Sequence, residues 1–126
     1  MIADDHRCPC GTGLTYGECC ARRHRGEAAP TAELLMRSRY TAFVLGDTDY
    51  LLASWHPSTR PAQLELDERM QWRRLDVLDT VAGGPFDSTG EVEFAAHYRL
   101  EGERGVQRER SRFVRDAGRW VYLNEA

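Results

Sequence analysis

The chain has 126 residues, 41% hydrophobic and 29% charged, enough apolar material for one packed domain with a small appendage. A net charge of −3 gives no global drive towards nucleic acid, and no apolar run is long enough to cross a bilayer. All 17 basic residues are Arg and Ile2 is the only isoleucine; coding bias in a GC-rich genome explains both, so the arginine count is not evidence for function.

Residues 1–7 lack the apolar stretch of a signal peptide, so a cytoplasmic location is expected. The first thirty residues are rich in Cys, Gly and Arg and carry few large apolar side chains beyond Leu14 and Tyr16. Such a segment needs a cross-link to fold. All four cysteines fall here, at Cys8, Cys10, Cys19 and Cys20. Disulfides of a secreted scaffold would be spread to staple distant loops, whereas four crowded thiols suit one tetrahedral zinc ion. Pro9 stiffens the turn between the first pair, and Gly11, Gly13 and Gly17 let the loop fold back. Unpaired thiols, a vicinal disulfide and an iron–sulfur cluster are the competing readings, and His6 or His24 could replace one thiol.

Residues 22–30 read as a linker. Thr31 then caps a helix whose Leu34, Leu35, Met36, Tyr40, Phe43 and Val44 form one apolar face, and Gly46 stops it. Asp47 caps a second helix carrying Tyr50, Leu51, Leu52 and Trp55, ended by Pro57. Residues 61–70 are expected to form a third helical piece. Strands follow: one around Leu75 and Val77, one alternating through Val92, Phe94, Ala96, Tyr98 and Leu100, one over 106–115 and a last over 119–123. Hairpin turns are expected over 102–105 and 116–118. Helices followed by an antiparallel meander define an α+β layer fold.

The cysteine segment, with its Pro-Cys-Gly-x-Gly opening, Tyr16 and closing Cys19-Cys20 pair, resembles the SEC-C motif. The series continues through Leu35-Met36-Arg37-Ser38-Arg39-Tyr40-Thr41-Ala42-Phe43, Trp55-His56-Pro57, Glu109-Arg110-Ser111-Arg112-Phe113 and Trp120-Val121-Tyr122. Over nearly its full length the chain is similar to the YchJ family. That resemblance implies a SEC-C zinc knuckle over 1–26 and a cone-shaped nuclear transport factor 2-like domain over 27–126, with helices on a curved antiparallel sheet. It implies no established activity. Some members carry a second SEC-C motif at the C-terminus, which is not read here, and the lysine-rich loop common in SEC-C motifs is replaced by Leu14-Thr15-Tyr16-Gly17-Glu18.

Two side chains stand out as candidates for a site in the cone. His56 could be a base at the pocket mouth, or a histidine held at a helix end by the dipole and a local hydrogen bond. Glu109 shares a strand face with Ser111 and Phe113 and could enter the cone; alternatively it pairs with Arg99 or another arginine across the sheet. Tyr98 is expected in the core, and Asp47 and Asp49 at a helix start. No catalytic triad order, phosphate loop or His-x-x-x-His pair occurs, so the chain is read as non-enzymatic.

The leading expectation is an adaptor that docks a protein partner through a structural zinc knuckle. A small molecule or substrate held in the cone is the second expectation, and it would fail if Trp55, Phe94, Tyr98 and Phe113 filled the cone. RNA or ribosome association through Arg22, Arg23 and Arg25, or through arginines beside Trp72 and Trp120, is the third and weakest.

Overall fold

In the computed structural model, which describes residues 2–126, three helices precede four strands. The helices are α1 (Cys20–His24), α2 (Ala32–Leu45) and α3 (Thr48–Ala53). The strands are β1 (Met70–Ala82), β2 (Thr89–Leu100), β3 (Glu103–Asp116) and β4 (Arg119–Glu125), paired antiparallel in the order β1-β2-β3-β4. No helix among the described residues is long and apolar enough to cross a membrane.

The expected caps set the helix ends. Thr31 Oγ1 accepts from the Leu34 amide at 3.1 Å, and Gly46, at φ 71°, closes α2 in the left-handed conformation. Asp47 Oδ1 accepts from the Tyr50 amide at 3.0 Å and opens α3. The β3–β4 turn falls at Ala117-Gly118, as expected. The β2–β3 turn is tighter than expected: it is made by Glu101 and Gly102, both at positive φ, and Gly105 lies within β3 under the Tyr98 ring.

Two bulges in β1, at Trp72/Arg74 and Val77/Asp79, keep Trp72, Leu75 and Val77 opposite Tyr98, Ala96 and Phe94. Each inserts an extra residue and strengthens the local twist, so the sheet curls around α2. A third irregularity, in the β3–β4 register, places Phe113 opposite Tyr122.

Three expectations need correcting. Helix α3 ends at Ala53, with its last turn capped at Ser54, so Trp55 lies beyond the helix and bridges to Tyr122 of β4. Residues 61–69 are not helical. Their apolar residues Leu64 and Leu66 are two apart, which makes no helical stripe, and the segment runs as an irregular connection from α3 to β1. Residues 22–30 are not a free linker either: residues 22–24 complete α1, and Ala29 is buried. One buried cluster joins the four cysteines, Tyr16 and Ala21 to Leu35, Met36 and Tyr40 of α2 and to Leu75, Val92, Phe113 and Trp120 of the sheet. The cysteine segment and the cone therefore share a core.

Candidate metal cluster and cone cavity

The cysteine segment is folded by its backbone. The Cys8 amide donates to Leu14 O at 2.9 Å and the Tyr16 amide to His6 O at 2.7 Å, closing a small hairpin. Gly11 and Gly13, at φ 87° and 91°, make its tip possible. The Cys19 and Ala21 amides both donate to Tyr16 O at 3.0 Å, which starts α1 so that Cys19 and Cys20 face the first pair. All four sulfurs lie within 4.8 Å of one another and all four residues are buried. Cys10 Sγ is 3.6 Å from Cys19 Sγ, which is 4.0 Å from Cys20 Sγ. Four thiolates around a tetrahedral zinc would stand roughly 3.8 Å apart, given metal–sulfur bonds of about 2.3 Å. The cluster could hold a metal ion of that kind with little rearrangement.

Crowding four thiols has an electrostatic cost. Hydrogen bonds from the Cys10 and Cys20 thiols favour the Cys8 thiolate and hold its pKa far down. At Cys10 the bond from Cys20 favours the thiolate, but the bond to Cys8 and burial outweigh it and push the group up to about 11. Bonds to Cys10 and Cys8, with burial, keep Cys20 protonated. A divalent cation would offset this mutual repulsion.

Helix α2 supplies the outer contacts of the cluster, which depend on tertiary packing and have no local sequence signal. Thr41 Oγ1 donates to Cys20 Sγ at 3.3 Å, and Arg37 Nη1 donates to Cys10 O at 2.6 Å. Thr12 Oγ1, within the loop, lies 3.2 Å from Cys19 Sγ. Neither histidine joins the cluster. His6 Nδ1 contacts the neighbouring Arg7 carbonyl at 2.9 Å. His24 Nε2 donates to Ser38 O at 2.9 Å, which leaves Nδ1 to accept from the Tyr16 hydroxyl at 2.7 Å, so this ring ties the cysteine segment to α2.

On the other side of α2 the cone is open. A cavity of about 210 Å³ lies between α2 and the sheet, and Leu64 from the connection contributes to its wall. Trp55, Phe94 and Phe113 line this space without filling it, and Tyr98 sits outside it against Trp72. The inner face of β3 brings Glu109 and Ser111 into the cavity. Ser111 and Tyr122 both donate to Glu109 Oε2, the latter at 3.4 Å, while Oε1 has no partner among the described residues. The expected cross-strand pairing of Glu109 with an arginine does not occur. Arg110 points to the other face and pairs with Asp79, Glu91 and Glu93. Burial, then the Glu109 charge, push Tyr122 up to about 12.

Arg39 lies at the cavity and was missed from sequence. It is only 7% exposed. Nη1 donates to Leu51 O and Ser54 Oγ, both at 2.7 Å, and the guanidinium carbon lies 5.1 Å from the Trp55 ring centre and 4.8 Å from that of Tyr122. Burial lowers its pKa to about 10, which leaves it charged at neutral pH. A signal existed: position 39 follows Leu35 by four and Met36 by three, on the apolar stripe of the helix.

His56 does not line the cavity. Its Nδ1 accepts from the Ser58 amide at 3.0 Å and lies 2.7 Å from Ser58 Oγ, so it shapes the turn after α3. The arginines weighed for RNA contact are engaged or lack an exposed aromatic neighbour. Arg22 and Arg23 pair with Glu27, Arg25 pairs with Asp4, and Trp120 is buried.

Comparison with known proteins agrees with this architecture. The family model described as the YchJ middle NTF2-like domain matches residues 31–125, and the SEC-C motif matches residues 7–22. A UPF0225 protein of Corynebacterium efficiens is 60% identical over 119 residues, covering 94% of this chain and 91% of the relative. Another from Streptomyces coelicolor is 57% identical over 118 residues, covering 93% and 92%. The solution structure of a SEC-C motif containing protein from Rhodopseudomonas palustris superposes with a TM-score of 0.81 at 35% identity, covering 94% of this chain and 96% of that one. A crystal structure of a SEC-C motif containing protein from Psychrobacter arcticus gives the same TM-score at 27% identity, covering 98% and 84%. The chain belongs to the YchJ/UPF0225 family, with a SEC-C motif ahead of an NTF2-like domain.

Proposed function

We propose that this protein binds a small molecule in its cone, and that its four cysteines hold one structural zinc ion that fixes the cone's helical wall. The observation that carries the reading is the open cavity: aromatic walls enclose space, and Arg39, Glu109 and Ser111 converge on it. Zinc is the metal suited to four thiolates in a compact tetrahedral arrangement, and a shell closed by four protein sulfurs leaves no position for a catalytic water. The ligands would be Cys8, Cys10, Cys19 and Cys20. Binding without turnover is the function proposed.

The test is a titration of the zinc-loaded protein with one-ring aromatic fragments, neutral and anionic, followed by the amide and indole resonances of cavity residues. Saturable shifts confined to the cavity support the reading. A panel that leaves the Trp55 and Trp72 indole signals unmoved at millimolar concentration would sink it.

A protein partner docked on the cysteine segment is the second reading. The hairpin leaves Leu14 48% exposed, whereas Cys8, Cys10, Tyr16, Cys19 and Cys20 of the same segment are buried. Loss of a defined partner on Leu14→Ser substitution, with the metal retained, would favour it.

A further inference from the structure

We infer that the cone cavity is built for a one-ring aromatic carboxylate, with the carboxylate on Arg39 and a hydroxyl-type donor directed at Glu109. The inference rests on the cavity reading above and names its ligand class.

Arg39 is a buried charge with no carboxylate in contact; Glu109, on the same cavity, acts on it only through its field. The two hydrogen bonds of Arg39 both come from Nη1 and go to neutral oxygens, Leu51 O and Ser54 Oγ. Among the described residues, no carboxylate forms an ion pair with it, and its Nε and Nη2 have no hydrogen-bond partner. A buried guanidinium left in this state is costly, and an anion brought against it recovers that cost. The Trp55 and Tyr122 rings, whose planes stand 79° apart, both lie against the guanidinium, and the donors left over are Nε and Nη2, on one edge of it. A planar carboxylate is the anion that matches an arginine edge, by paired N–H···O bonds.

Size and lining narrow the rest of the ligand. A dry cavity of roughly 150 Å³ holds a benzene-sized ring. The 210 Å³ here leaves room for one ring with short substituents. The walls from Tyr40, Phe43, Trp72, Phe94 and Phe113 favour an aromatic ring by edge and offset contacts. Glu109 supplies the opposite pole. Its Oε2 takes both hydrogen bonds donated within the chain, which leaves Oε1 as an acceptor for a ligand donor. The same carboxylate disfavours a second anionic group, so a phosphate or dicarboxylate would meet repulsion and apolar walls.

The experiment uses the full zinc-loaded chain and three probes: 4-hydroxybenzoate, its neutral amide 4-hydroxybenzamide, and benzoate. Binding is followed by amide and indole chemical shifts. The expected result is that 4-hydroxybenzoate binds at least roughly tenfold more tightly than the amide and a few-fold more tightly than benzoate, with shifts centred on Arg39, Trp55 and Glu109. In Arg39→Lys, acid and amide should bind within about threefold of each other, because the bidentate edge is lost. The acid–amide comparison in the unaltered protein does not depend on that variant folding. Equal affinity of acid and amide in the unaltered protein would overturn the carboxylate assignment while leaving a cavity that binds neutral rings. Failure of all three probes to move the cavity signals would overturn the cavity reading itself.

Discussion

Helix α2 separates two polar environments that the chain treats in opposite ways. Towards the cysteines, its polar side chains are matched within the protein: Thr41 to Cys20, Arg37 to the Cys10 carbonyl and to Glu33, and the Ser38 carbonyl to His24. Towards the cone, Arg39 keeps an unpaired edge, the Trp55 indole N–H is buried without an acceptor, and Glu109 keeps one free oxygen. Buried polar groups are normally satisfied, so the matched side reads as structure and the unmatched side as a place for something else. One helix thus serves as the support for the cysteine cluster and as the wall of a cavity.

The largest expected effect breaks the matched side. Cys20→Ser should abolish zinc binding, and zinc contributes roughly 10 kcal/mol or more in small modules. That is comparable with the whole stability of a domain of this size, about 5–15 kcal/mol. A cone that folded independently would survive loss of the metal. The shared core leads to the opposite expectation: circular dichroism should show the cone melting at much lower temperature along with the cysteine segment.

Phe113→Ala comes next. Phe113 is 1% exposed and packs on Tyr122 at the cavity wall, so its truncation should cost about 3–5 kcal/mol in urea unfolding while zinc stoichiometry stays at one. A smaller effect is expected for Thr41→Val. It removes the hydroxyl donated to Cys20 Sγ and should weaken zinc binding roughly tenfold, read by competition with a chelator, with a stability loss of about 1 kcal/mol.

A pH change distinguishes the two sides without mutation. Tyr40 and Tyr122 are both pushed up by burial to about 12, from an ordinary value of 10.0. Between those values the unfolded chain has lost protons that the folded chain retains, so their contribution is complete below pH 10 and is lost as pH rises towards 12. Arg39, lowered to about 10, acts in the opposite direction over the same range, but Tyr16 and Tyr50, also pushed up by burial, add to the tyrosine side. Urea midpoints should therefore fall between pH 9 and pH 11, and less so in Tyr122→Phe. The smallest effect is reserved for the surface. Arg25→Ala removes an exposed pair with Asp4 and should leave the melting temperature unchanged within error.

The sequence made some of this arrangement legible and concealed the rest for physical reasons. Local chemistry was readable: Thr31, Gly46 and Asp47 act on their own backbone, the alternation through β2 follows from its two-residue period, and four cysteines within thirteen residues announce a common ligand. What failed depended on tertiary contact. Residues 22–30 are too polar to suggest burial, yet Ala29 packs into the cluster that joins the cysteine segment to α2. The connection at 61–69 takes its course from where α3 ends and β1 begins, not from its own propensity. Arg39 was obscured by composition: among 17 arginines discounted together, the one on the apolar face of α2 differs only in what surrounds it. Glu109 was readable as an inward carboxylate from alternation, whereas the absence of an arginine partner was not.

The most direct measurement is stepwise removal of zinc with a chelator, followed residue by residue by amide and indole resonances. If the metal cluster and the cone are one structural unit, signals from residues 8–25 and from Arg39, Trp55 and Phe113 will lose their native positions together, with one midpoint. Native cavity signals persisting after the cysteine segment has unfolded would contradict that claim.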